Sequence, residues 1–288
     1  MNMKDILGLF GKTVLAMITM FVLIGVLLLA DQFLLKGINM GNVIPHLSMC
    51  LTALLLKLVL DRRKEWAVGW QDQLAVNHTM SGALIITIVM AVAMSFMLIA
   101  GNTELVEQSW GMNVMLWQVI IFLLVAIGEE WLFRGYLFCL YQHHVGVKAA
   151  IFVNSLIFTG IHLINPNAFS RPLAFILTEM TNIFLLSLLM SIARAYSRSL
   201  WMPIGLHFTM NFLQSSIFGF INGGKNVESL FYLVYENKTI WNGAGYGLES
   251  SLIFTAVLII TNIGAIMFYR RSISSSLDKQ TGGTEHAG

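Results

Sequence analysis

Charge is what this chain has least of. Only 11% of its 288 residues are Asp, Glu, Lys or Arg, against 57% hydrophobic residues and a mean hydropathy of +0.74. A soluble domain carries about 25% charged residues. The deficit therefore excludes an ordinary soluble globule and points to an integral membrane protein. Net charge is only +2 and no Lys/Arg-rich block occurs, so no nucleic-acid partner is expected. Cysteine is scarce as well. Cys50 and Cys139 lie in or beside apolar runs, without CxxC or zinc-finger spacing, and read as small buried hydrophobes rather than nucleophiles. No internal repeat and no soluble domain stand out. No cleavable signal is evident either: the apolar run 14–30 lacks a small-residue cleavage site before Asp31-Gln32 and is expected to stay as a span.

Long apolar runs, by contrast, fill the chain. Crossing the hydrocarbon core takes about 20 mostly apolar residues. Runs of that kind cover 14–30, 44–60, 82–100, 114–141, 149–165, 172–192, 202–220 and 251–269. The spacing predicts an all-α, polytopic membrane helical bundle of about eight transmembrane helices. With the N-terminus inside, one side collects Lys4, Lys12, Arg62, Arg63, Lys64, Lys148, Arg194, Arg198, Arg270, Arg271 and Lys279. The other receives Lys36, Arg171, Lys225 and Lys238. That bias predicts N-in and C-in. Residues 1–272 read as one integral-membrane domain, the outer loop 221–250 as interfacial, and 273–288 as a polar, disordered tail. The seventeen Met residues, scattered through the spans, read as flexible packing rather than a metal-transport stripe.

Against this background, GEEWLFRGYL (Gly128–Leu137) breaks the pattern. A charge at the centre of a membrane helix costs about 2.5–3.5 kcal/mol on insertion scales, and here three fall within six residues. Glu130 and Arg134 are four apart, on one helical face, and can pair. Glu129, about 100° round the helix, cannot share that face and is left free to act. Two more spans carry polar groups: His162 in IFVNSLIFTGIHLINP, and His207 with Asn211, four apart, in SLWMPIGLHFTMNF.

Glu129-Glu130-Trp131-Leu132-Phe133-Arg134 fits EExxxR, Phe158 to His162 fits FxxxH, and His207 to Asn211 fits HxxxN. In that order, on separate apolar helices, they resemble the three motifs of the CPBP intramembrane proteases, which include CAAX prenyl endopeptidases of the Rce1 type and bacterial Abi proteins. The resemblance covers about 114–220 and implies an intramembrane endopeptidase with a catalytic set of Glu129, Glu130, His162, His207 and Asn211, Arg134 giving structural support.

Peptide hydrolysis needs an activated water, oxyanion stabilisation and a proton for the leaving amine. Glu129 can take the water's proton and return it to the amine, His162 can orient the water, and His207 and Asn211 can donate to the oxyanion. Whether a metal takes part stays open. His162, His207 and Glu129 could fill three positions of an open Zn2+ site, yet the HExxH spacing is missing. The expected partners are membrane lipids and a membrane-associated protein or peptide substrate, in a bacterial cytoplasmic membrane.

Blander readings stand beside these. Glu130–Arg134 can serve as a packing ion pair, Glu129 as a buried protonated acid, and His162, His207 and Asn211 as interhelical hydrogen-bonders. His143 and His144 read as solvated, and His46, His78 and His286, placed in loops or the tail, are assigned nothing. Glu179, inside the sixth span, matches no motif and has no identified partner. The competing functions are a non-enzymatic scaffold or bacteriocin-immunity factor with the same fold, and a proton-coupled transporter using Glu129, Glu179 and the histidines as a relay.

Overall fold

A computed structural model describes residues 3–34, 41–62, 66–100, 103–108, 111–164, 169–220, 228–243 and 245–282. Helices account for nearly all regular structure, in the order α1 (Met3–Leu34), α2 (Ile44–Val59), α3 (Ala75–Ala100), α4 (Met112–Glu130), α5 (Phe138–Val145), α6 (Val147–His162), α7 (Leu173–Ser197), α8 (Trp201–Asn211) and α9 (Leu252–Gly282). A π-helical segment, Trp131–Leu137, joins α4 to α5 without a break, and a second, Phe212–Ile217, extends α8. Each of the eight apolar runs therefore coincides with one continuous helical rod.

The rods differ in length. Five, at Met3–Phe33, Ala75–Ile99, Met112–Val145, Leu173–Ser197 and Leu252–Ser272, are long and apolar enough to cross a membrane. Ile44–Val59 and Val147–His162 are apolar but only 16 residues each, about 24 Å at 1.5 Å per residue. The outward faces carry apolar side chains throughout, among them Phe10, Val22 and Phe33 on α1 and Ile260, Ile263 and Phe268 on α9. An apolar surface of that extent suits lipid rather than water.

One departure from an all-helical chain is a two-stranded antiparallel hairpin, β1 (Thr103–Glu107) with β2 (Phe231–Tyr235), in register Leu105 to Leu233. β2 is FYLVY, in which every residue but Leu233 is aromatic or β-branched and suits a pleated surface. It lies in the outer loop expected to be interfacial; residues 221–227 and 244 of that loop lie outside the described residues. The backbone of α9 runs on to Gly282, into the segment read as a disordered tail, and 283–288 lie outside the described residues.

Two packing zones meet along α7, which gives Leu186 to one and Ile183 to the other. One gathers Met90, Met94 and Met97 of α3, Leu186 and Met190 of α7, Leu206 of α8 and Phe254 and Leu258 of α9. The other gathers Met20 of α1, Ala53 of α2, Phe133 and Tyr136 of the first π segment and Phe158 of α6. α3 and α8 approach backbone to backbone because both present glycine: a side chain at Gly82 would strike the Met202 carbonyl, and one at Gly205 the Thr79 carbonyl. The α2–α3 connection is pinned by Trp70, which lies edge-on to Trp131 and Trp201 and takes the Trp201 indole N–H on its carbonyl at 3.0 Å.

Candidate active site

Glu130 and Arg134 are both fully buried, and the Arg134 Nη1 donates to Glu130 Oε1 at 3.0 Å. The other arm of the guanidinium donates to Ser187 Oγ (2.7 Å) and the Ser187 carbonyl (3.2 Å) on α7. Its face rests 4.4 Å from the Phe158 ring centre. A desolvated cation is tolerable only with this kind of satisfaction. Arg194, counted above among the inner-side charges, is itself buried; its Nε donates to the Arg134 carbonyl at 3.1 Å and its Nη2 to the Ala67 carbonyl at 3.0 Å. Thus α7 holds the π segment from two directions.

Glu130 has a second task that helical spacing does not reveal. Its Oε1 also faces His207 Nδ1 at 2.7 Å. A carboxylate already accepting from arginine can only accept, so Nδ1 carries the hydrogen and donates. The ring is thereby oriented with Nε2 directed towards Glu129, 3.8 Å from its Oε2. His207 bridges the two adjacent glutamates, an arrangement in which one carboxylate fixes the ring through which the other is reached.

Glu129 turns away from the Arg134 pair. Its side chain is 12% exposed, and a third element reaches it: His46 in the first turn of α2 places Nδ1 3.7 Å from Glu129 Oε1. The approach depends on Gly128, where a Cβ would meet the His46 carbonyl oxygen at 2.5 Å. The imidazoles of His207, His162 and His46 and the Arg134 guanidinium all act electrostatically on Glu129. His162, at the last residue of α6, donates Nδ1–H to the Phe158 carbonyl at 2.8 Å, which leaves Nε2 as its free nitrogen. Phe158 ties the set together, its ring 4.7 Å from that of His162 and 6.3 Å from that of His207. Asn211 sits one turn beyond His207 on α8 and is buried.

The sequence reading set Glu129, Glu130, His162, His207 and Asn211 at one site with Arg134 in support; the structure joins Glu129, Glu130, Arg134 and His207 by direct contacts, reaches His162 through the Phe158 ring and its electrostatic effect on Glu129, and sets Asn211 one turn from His207. It assigned nothing to His46, which joins the site. The one available signal was an imidazole at the start of an apolar run, as easily a loop residue. Glu179 acquires partners: it pairs with Arg171 and accepts from Ser250 Oγ at 3.1 Å. Beside it, burial and the neighbouring Glu179 carboxylate push Glu249 up to about 7. His143 and His144 remain exposed at the end of α5.

Whether His162, His207 and Glu129 hold a zinc ion stays open, because the Nδ1 bonds of both histidines leave their Nε2 atoms available to a metal. Among the described residues no group of three or more His, Cys, Asp or Glu side chains is placed to hold a metal ion. Within the set proposed, His207 Nδ1 is taken by Glu130 and His162 Nδ1 by a backbone carbonyl.

Residues 111–213 match the model of a protein family, the type II CAAX prenyl endopeptidase Rce1-like family. The match contains all three motifs and shows, over that stretch, the resemblance read from them. No curated protein matches the chain.

Proposed function

We propose that this chain, an integral membrane protein similar over residues 111–213 to the Rce1-like CAAX prenyl endopeptidases, is a glutamate-dependent intramembrane endopeptidase acting on a membrane-attached protein or peptide. The observation that carries the reading is the division of labour between neighbours. Glu130 is bound through Oε1 by both Arg134 and His207 at hydrogen-bond distance, whereas Glu129 faces His207 Nε2 and His46 only at 3.8 and 3.7 Å.

In the proposed reaction Glu129 accepts a proton from the attacking water as its oxygen bonds to the scissile carbonyl carbon. His162, with Nδ1–H held by the Phe158 carbonyl, offers the Nε2 lone pair to orient that water. The tetrahedral oxyanion is met by Asn211 and by His207 Nε2, which becomes a donor when the ring carries its second proton between two carboxylates. Glu129 then returns its proton to the leaving nitrogen as the C–N bond breaks. The eight helical rods are proposed to cross a bacterial cytoplasmic membrane with both ends on its inner side.

The test compares cells carrying wild type or Glu129→Gln at matched membrane abundance, by mass spectrometry of membrane-bound and secreted peptides. General-base loss costs about 10²–10⁴-fold, so products of the enzyme should vanish from the variant's profile. Identical profiles, in cells that depend on the wild-type protein, would move the reading to a scaffold or immunity factor that works by binding.

A further inference from the structure

We propose that His46 is a positioning residue for the Glu129 carboxylate, a role that rests on the hydrolytic reading above. α2 begins at Ile44 with Pro45 in its first turn, so the chain enters the helix with the His46 ring already beside α4. Its backbone lies against the residue that precedes Glu129: a Cβ on Gly128 would lie 2.5 Å from the His46 carbonyl oxygen and 3.1 Å from its Cα. The glycine thus sets the His46 backbone and the Glu129 side chain in one packed unit contributed by two helices.

The contacts fall on opposite oxygens. His46 Nδ1 lies 3.7 Å from Oε1, and His207 Nε2 lies 3.8 Å from Oε2. The last torsion of a glutamate is broad and roughly two-fold, so a carboxylate approached from one side alone can turn about it. An imidazole within ion-pair range of each oxygen, beyond hydrogen-bond distance, favours one plane by electrostatic attraction. His207 is itself fixed by Glu130, and His46 is fixed independently by α2, so the two do not move together. A base must accept its proton along a defined direction, and a misplacement of about 1 Å can cost about 10²-fold in rate. His46 takes no part in bond making; it acts through Glu129.

The experiment uses the full chain in lipid nanodiscs, with an internally quenched farnesylated peptide ending in Cys-aliphatic-aliphatic-X as probe. In parallel, infrared spectra isolate the Glu129 carboxylate stretch as the band lost in Glu129→Gln. Three variants separate an electrostatic contact from a wedge. His46→Asn keeps an N–H near the Nδ1 position, His46→Phe keeps the ring's bulk without it, and His46→Ala keeps neither. The expected result is kcat lowered about tenfold to hundredfold in His46→Phe and His46→Ala with KM little changed, the carboxylate band shifted in both, and both restored towards wild type in His46→Asn. Near-normal kcat with an unmoved band in His46→Phe would overturn the proposal by making His46 a packing group. Equal loss in all three would overturn it too. If wild type leaves the peptide intact, the prenyl-peptide reading fails, while the infrared comparison still decides the role of His46.

Discussion

At the scale of single residues, adjacent glutamates come to different fates through helix geometry. One residue turns the side chain by about 100°, and that rotation sends Glu130 towards Arg134 and His207 and Glu129 towards His46. Arg134 is the residue whose loss should cost most. Removing it strands Glu130 in a dry site, releases two bonds to Ser187 and uncovers the Phe158 ring. Breaking a buried ion pair from one side costs about 3–5 kcal/mol. Arg134→Ala should therefore lower membrane abundance and melting temperature as well as activity, read by fluorescence-detected thermal unfolding in detergent. An active and normally abundant variant would refute the pairing as a support. The i,i+4 pair itself was legible in the sequence from spacing alone. The second use of Glu130, on His207 of a distant helix, was not, because no local rule links residues separated by 77 positions.

At the scale of elements, the hydropathy blocks anticipated where helices run, since a backbone in lipid must satisfy its own hydrogen bonds and an apolar run has few other options. Local irregularity was hidden. Two of the three motif-bearing rods turn π-helical at the motif, one from Trp131 to Leu137 directly after Glu129-Glu130 and through Arg134, the other from Phe212 to Ile217 directly after Asn211. Such turns frequently mark functional sites, yet nothing in WLFRGYL or FLQSSI distinguishes them from an α-helical sequence. The crossing of α3 and α8 offers a test at this scale. Gly82→Val or Gly205→Val places a side chain against a backbone carbonyl and should destabilise by about 1–3 kcal/mol, measured by the same unfolding assay. Gly25→Val on α1, where a Cβ meets nothing within 4 Å, should melt with wild type.

At the scale of the whole molecule, the apolar exterior and the lysine and arginine bias place constraints on how the bundle sits in a bilayer. With eight crossings, tags fused at the two ends should be digested together in inside-out vesicles and protected together in right-side-out ones. A cysteine introduced at Asn237, in the loop that follows β2, should label from the opposite side. Tags that digest separately would mean an odd number of crossings, and the short rods α2 and α6 would be the first to re-examine.

The sequence by itself determined the membrane setting, the positions of the helical rods and the three motif groups, because each depends on composition or on spacing within one helix. Tertiary structure decided which nitrogen faces which carboxylate, and that His46 belongs at the site at all. It also supplied Glu179 with Arg171 and Ser250, and set the pinning of Arg134 by α7. Those outcomes depend on how closely helices approach, and closeness turns on details such as a missing side chain at Gly128, whose consequence appears only when another backbone fills the space it leaves.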